Sequence, residues 1–323
     1  MINVIYKFDI CVLINLMDFI LFAIVYPFIW ITSRLPMRIL YVISDVLFFL
    51  VYYIFGYRKK VVAHNIDLCF PEKNETEKNE IVKKFYKHFI DLMIESIKAF
   101  SISEKEIIKR YTYTNIEVLE KLIEKGKSII LVGAHIGNWE WSFYLPKMVS
   151  VPMYGAHTKL GNKYFEAKVK KSRTKFGGRA FKNAQVIKGI YDLEKKQIQA
   201  LHLLLSDQSP QLNKTHYWRN FFNIYVPVHT GPEMIAKKFD LTVVNYVTKR
   251  TKRGYFETTF ELITETPKEC GEFEITDKYF EITERNIKEQ PFSYLWSHKR
   301  FKHKDKYDEW LGTQNNKKQK TAS

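Results

Sequence analysis

Ile129-Ile130-Leu131-Val132-Gly133-Ala134-His135-Ile136-Gly137-Asn138-Trp139-Glu140-Trp141 is the stretch on which the reading of this chain turns. Its opening is uncharged and rich in β-branched residues, so Ser128 to Ala134 reads as a strand buried on both faces. Gly137 and Asn138 make a turn after it, with Asn138 a helix N-cap candidate and a helix starting there. His135 thereby stands at the C-terminal end of a buried strand, where open α/β sheets hold their ligands. Glu140 falls in the first helical turn and can fold back toward the imidazole.

Spacing alone does not single out this pair. The chain has nine histidines and 35 acidic residues among 323, so chance puts an acid five residues after about one histidine. Three have one: His135, His202 and His303. His202 lies inside an apolar strand, where an odd spacing sends Asp207 to the opposite face. His303 and Asp308 lie in a basic polar segment that reads as a solvated face. Only His135 has a strand, a tight turn and a helix around it. A neutral imidazole there takes a proton from a hydroxyl if a carboxylate holds its other nitrogen and stabilises the imidazolium. Helix N-terminal amides nearby would stabilise an oxyanion. The bland alternative is a histidine at a sheet edge, with Glu140 favouring the helix dipole.

Outward from this centre, strands and helices alternate. A basic helix is expected over 162–175, a strand over 198–205 and a short helix over 232–239. Strands over 241–248 and 255–262 and a helix over 277–290 follow. Such alternation predicts an α/β fold with a mixed sheet flanked by helices. Towards the N-terminus, Ile81, Phe85, Phe89, Leu92 and Ile97 mark an amphipathic helix over 75–100.

Two apolar runs precede it. Ile10 to Ile31, broken by Asn15 and Asp18, is long enough to span a bilayer, and reads as an N-terminal membrane helix, against the alternatives of an interfacial helix or a buried core helix. No small-residue cleavage site follows it, so it is not read as a signal peptide. Ile39 to Phe55 reads as a helix on or dipping into the membrane, and Arg58-Lys59-Lys60 closes it. Basic residues cluster after the first run, which places the rest of the chain on the cytoplasmic side. The organisation expected is anchoring helices over 1–60, a catalytic domain over 61–310 and a disordered polar tail over 311–323.

Composition sets the partners. With 51 Lys and Arg against 35 Asp and Glu, the net charge is +16, which favours a membrane surface, an acidic carrier, a phosphorylated substrate or nucleic acid. Three scattered cysteines form neither a disulfide framework nor a zinc site. Asp207 and Gln208 after a strand, and Arg250 at a strand end, are further candidates for substrate contacts, against the alternatives of a turn cap and a solvated side chain.

The chain resembles the late acyltransferases of lipid A biosynthesis. The run from His135 to Glu140 is similar to their H-x4-D/E motif. Further likenesses follow in order: Asn65 with Cys69-Phe70-Pro71-Glu72, Asn162-Lys163-Tyr164-Phe165 leading to Arg173 and Gly177, Asp207-Gln208, Phe221-Phe222, Thr230-Gly231, Arg250, and Trp296-Ser297-His298-Lys299-Arg300-Phe301. The resemblance runs from Leu35 to Phe301. It implies a glycerolipid-acyltransferase-like fold and an inner-membrane enzyme with its catalytic domain on the cytoplasmic face. An acyl chain would pass from acyl carrier protein or coenzyme A to a hydroxyl of a lipid A precursor, with no metal or cofactor. The histidine is the base in such enzymes, the acid its partner, and an arginine and the Asp-Gln aspartate support them. Asn138, Lys159, Arg173, Asp207, Gln208 and Arg250 become the expected substrate-binding set. One departure stands out: the family often has an arginine where this chain has Ala156-His157-Thr158-Lys159, so the positive charge falls to Lys159 or Arg173.

Rival readings have their own signatures. Gly126-Lys127-Ser128 lacks the first glycine of a phosphate loop and precedes its strand, so no nucleotide is implied. No G-x-S-x-G occurs, which argues against a common serine hydrolase. Hydroxyacyl amino-acid lipids and lysophospholipids are alternative acceptors. A non-catalytic protein binding anionic lipid or nucleic acid through its charge is the other alternative. Nucleic acid is not the expected partner.

Overall fold

The computed structural model describes residues 2–322, with side chains from 15 to 314 apart from that of Asn183. The apolar N-terminus forms α1 (Ile2–Arg34), then α2 (Met37–Phe49), which continues as a wider helical turn over Leu50–Phe55. Asn15–Arg34 and Met37–Phe55 are each long and apolar enough to cross a membrane, and only 6% and 17% of their lengths is buried. Helices α3 (Lys59–Cys69) and α4 (Glu75–Lys98) follow. A reciprocal Asn74–Glu77 capping box starts α4, meeting amides that the helix itself leaves unpaired.

The region after α4 is built on a seven-stranded sheet. Its strands are β1 (Tyr111–Tyr113), β2 (Ile129–Gly133), β3 (Met153–His157), β4 (Arg179–Lys182), β5 (Leu201–Leu205), β8 (Thr242–Lys252) and β9 (Tyr255–Thr264), in the order β1-β9-β8-β2-β5-β3-β4. All neighbours run parallel except the β8–β9 hairpin. A separate hairpin pairs β6 (Tyr217–Phe221) with β7 (Ile224–Val228). Between strands lie α5 (Glu104–Arg110), α6 (Glu117–Glu124), α7 (Lys163–Thr174), α8 (Val186–Lys195) and α9 (Gly231–Phe239), with α10 (Glu274–Glu289) and α11 (Tyr307–Ala322) after them.

Strand β2 is buried on both faces, as a central strand covered by helices must be. Ile130 and Val132 join one core with Ile66, Phe85, Phe280 and Trp296. Ile129 and Leu131 join the other with Leu119, Leu122 and Tyr246. The mixed α/β sheet expected from the alternation is present. The differences are local. A helix expected from Asn138 is a tight 3-10 turn over Trp141–Lys147, where Pro146 removes an amide donor. The tail expected to be disordered is helical in α11; Trp310 anchors its start by donating to the Thr215 carbonyl at 3.2 Å. The strands β3, β4, β6 and β7 carry too few alternating residues to be read from sequence.

Gly133, the last residue of β2, has no room for a side chain. A Cβ there would lie 2.1 Å from Cε1 of Tyr246, a ring only 5% exposed. Gly133→Ala is expected to lose about 1–3 kcal/mol through overpacking, read as a lowered thermal midpoint of the detergent-solubilised protein.

Candidate active site

The register of two parallel strands builds the site. Gly133 of β2 pairs with Leu205 of β5, and the Ser206 amide adds one more rung by donating to the Gly133 carbonyl at 3.1 Å. His135 and Asp207 each stand two residues beyond that pair, so they arrive side by side. Asp207 Oδ1 lies 2.7 Å from His135 Nδ1 and accepts the His135 backbone amide at 3.1 Å. Asp207 is 1% exposed and the imidazole 18%. With Nδ1 engaged, Nε2 is the nitrogen left for the cavity that His135 lines.

Burial disfavours a charged imidazole, but the charge and hydrogen bond of Asp207, with the field of Glu140 added, outweigh it and raise the His135 pKa. Burial likewise opposes ionisation of Asp207, yet His135 and the amides of residues 135 and 207 hold its carboxyl below the usual range. This is a carboxylate orienting an imidazole and stabilising its protonated form.

Glu140 does not take the place expected for it behind the ring. It receives a two-pronged bond from Arg173, Nε to Oε2 at 3.0 Å and Nη2 to Oε1 at 2.5 Å. Both residues line the cavity. The Gly137 turn sends the chain away from His135 before Glu140 is reached. Gly137 has φ +63°, and a Cβ there would meet Thr248 Cγ2 at 2.8 Å, so only glycine fits. The turn is braced from the far end of the chain: Gly137 N donates to Ser293 O at 3.2 Å, and Leu295 N to His135 O at 3.1 Å.

The other candidates divide. Gln208 and Arg173 line the cavity, whereas Lys159 is exposed and outside its walls. Asn138 is fully buried behind the turn, with Oδ1 accepting the Trp141 amide and Nδ2 donating to Glu95, so it faces away from the cavity. Arg250 is also elsewhere, bonded to Asp91 at 2.8 Å and His88 at 3.1 Å. His202 lies inside the strand β5, as read, and is 1% exposed; burial pushes its pKa down to about 4. Among the described residues no cluster of His, Cys, Asp and Glu could hold a metal ion.

Two groups on the cavity wall escaped the sequence reading. His157 lies between the Phe181 carbonyl and Glu166 Oε1, each at 2.9 Å. His229 is held neutral chiefly by burial, with Arg300 adding to the effect. Both lie in or beside stretches quoted for the resemblance, Ala156 to Lys159 and Thr230-Gly231, but neither side chain was singled out there. The link from Asn65 to the Trp296–Phe301 run is also tertiary: Asn65 Nδ2 donates to the carbonyls of Trp296 and His298, both at 2.8 Å.

The cavity has a volume of about 500 Å³. Phe143, Val169, Val186, Leu203, Leu204 and Ile235 give it apolar walls, while His135, Glu140, Arg173 and Gln208 supply polar groups. Each methylene moved from water onto such walls contributes about 0.8 kcal/mol. An apolar chain with a reactive polar end suits this space, and acyltransferase is the class to which fold and site together point. Comparison with known proteins fixes the family. The description of bacterial lipid A biosynthesis acyltransferases matches residues 7–303, and the chain belongs to that family. A lipid A biosynthesis lauroyltransferase of Escherichia coli (strain K12) is 23% identical over 287 residues, covering 85% of this chain and 89% of that one. A lipid A biosynthesis acyltransferase 2 of Shigella flexneri is 23% identical over 165 residues, half of each chain.

Asp207→Asn removes the charge that raises the His135 pKa and leaves burial unopposed. With His135 read as the base, the acid limb of the kcat/KM profile follows its raised pKa and is expected to move to lower pH in the variant. The plateau is expected to fall about 10²–10⁴-fold, since the wrong tautomer is then favoured. Initial rates across pH with a fixed acyl thioester check both.

Proposed function

We propose that this enzyme moves a fatty acyl chain from an acyl thioester to a hydroxyl of a lipid A precursor at the cytoplasmic face of the inner membrane. The observation that carries the reading is the His135–Asp207 pair on the wall of an apolar-sided cavity. His135 Nε2 takes the proton from the acceptor hydroxyl as its oxygen attacks the thioester carbonyl. Asp207 stabilises the imidazolium that forms. The tetrahedral intermediate collapses by breaking the C–S bond, and the imidazolium returns its proton to the departing thiolate. Arg173, held by Glu140 on the cavity wall, supplies positive charge near the developing oxyanion.

Entry from a bilayer is consistent with the packing of α7. Its N-cap Asn162 donates to the Asp18 carbonyl of α1 at 2.8 Å, and Tyr164 meets the rings of Phe19 and Phe22 at 5.4 and 5.5 Å. The helix that brings Arg173 and Glu166 to the cavity thus rests on the apolar helix α1. The donor is acyl carrier protein or acyl-CoA; both are acidic, and the net charge of +16 favours either.

His135→Ala is expected to reduce acyl transfer by about 10³-fold or more without unfolding the chain. Cells carrying only that variant should accumulate a lipid A species lighter by one acyl chain in the mass spectrum of total lipids. An unchanged lipid profile would sink the reading. Parallel assays with acyl carrier protein and coenzyme A thioesters decide the donor.

A further inference from the structure

Behind the active-site turn lies a buried acid that the reaction does not touch. Glu95, on α4, is 0% exposed. Its Oε2 accepts from Asn138 Nδ2 at 2.8 Å and its Oε1 from the Tyr41 hydroxyl at 2.8 Å. Its backbone carbonyl accepts from Trp141 Nε1 at 3.1 Å, and the Trp141 amide donates to Asn138 Oδ1 at 3.1 Å. Glu95 therefore grips the turn at residues 138 and 141, on either side of Glu140 and three residues from His135.

The neighbouring charges do not neutralise it directly. On its own helix are Asp91 and His88; the β8–β9 hairpin brings Arg250 and Arg253; α2 brings Tyr41 and Asp45; Arg110 comes from α5. Both hairpin guanidiniums bond to Asp91, at 2.8 and 2.7 Å, and Ser44 of α2 donates to it at 2.7 Å. Arg253 also reaches Asp45 at 2.8 Å. Glu95 is left with neutral donors. Burial, and then the Asp91 charge, push its pKa up to about 7. A buried carboxyl without a bonded counter-ion is costly, and an apolar residue of similar volume often serves stability as well or better.

We propose that Glu95 is a positioning residue for acyl transfer: by clamping Asn138 between itself and Trp141, and bonding Tyr41 of α2, it fixes the turn that aims His135 and Glu140 at the cavity. The proposal rests on the reading of His135 as the base. Because Tyr41 belongs to the apolar helix α2, the packing of that helix and the position of the catalytic turn are linked through one carboxyl group.

An exchange of donor and acceptor tests it. Asn138→Asp sets a second acid against Glu95, and at a pH well above 7, where neither carboxyl keeps a proton that could bridge the two, kcat is expected to fall about 50-fold through misplacement of the turn, with the KM for the acyl thioester within about 3-fold. Adding Glu95→Gln reverses the contact: the glutamine amide donates to the new carboxylate, whose other oxygen still accepts from the Trp141 amide. The double variant is expected to return kcat to within about 5-fold of the parent. Near-UV circular dichroism of each variant checks that the aromatic core stays packed. The proposal is overturned if Asn138→Asp keeps the parental kcat, if the loss falls on KM instead, or if the double variant is no faster than Asn138→Asp alone. His135→Ala in the same assay keeps the two ideas apart, since activity there would reject the base and leave the clamp to be judged by the exchange.

Discussion

Parallel pairing of β2 with β5 is the constraint on which the site depends. Residues 72 positions apart in sequence meet because Gly133 and Leu205 share a rung, and two further steps along each chain deliver an imidazole and a carboxylate to one point. The strands are held in that register by side chains packed on both faces. A slip of one residue would turn Ile130 and Val132 out of one core and Ile129 and Leu131 out of the other. The hydrophobic effect thus sets the register that brings His135 and Asp207 together, and hydrogen bonds at the turn complete it.

Electrostatics then separates the acids by role. Asp207 is buried against His135 and remains ionised because a cation forms beside it. Glu140, on the wall of the same cavity, is matched by the planar fork of Arg173. Asp91 is matched by two arginines. Glu95 has none bonded to it, and burial, with the Asp91 charge added, raises its pKa. Four carboxylates in one region therefore have four environments.

The N-terminal helices enter this arrangement as structure. α1 supports α7 through Asp18, Phe19 and Phe22, and α2 reaches the interior through Tyr41 and Ser44, while its exposed Asp45 pairs with Arg253. Ser44 and Asp45, the polar residues inside the second apolar run, are explained by these contacts. Ser44 is 1% exposed and bonded to Asp91, so it faces protein while Val42 and Val46 stand exposed on the other side. A helix with one apolar face outward and one polar seam inward suits a membrane interface.

The sequence alone determined what depends on neighbours in the chain. Uncharged β-branched runs had to form buried strands, the Gly137-Asn138 turn had to follow β2, and His135 had to stand at a strand end. The ordered motifs from Asn65 to Phe301 likewise carried the family. Tertiary structure decided the partners. Five-residue spacing pointed to Glu140, but a turn that only glycine can make directs that side chain to Arg173, and sheet register gives His135 to Asp207. Arg173 rather than Lys159 reaches the wall, Asn138 and Arg250 lie behind it, and His157 and His229 join it unannounced. Local pattern follows from steric and hydrophobic preferences of adjacent residues, whereas distances between remote side chains follow from packing and register, which no short stretch of sequence contains.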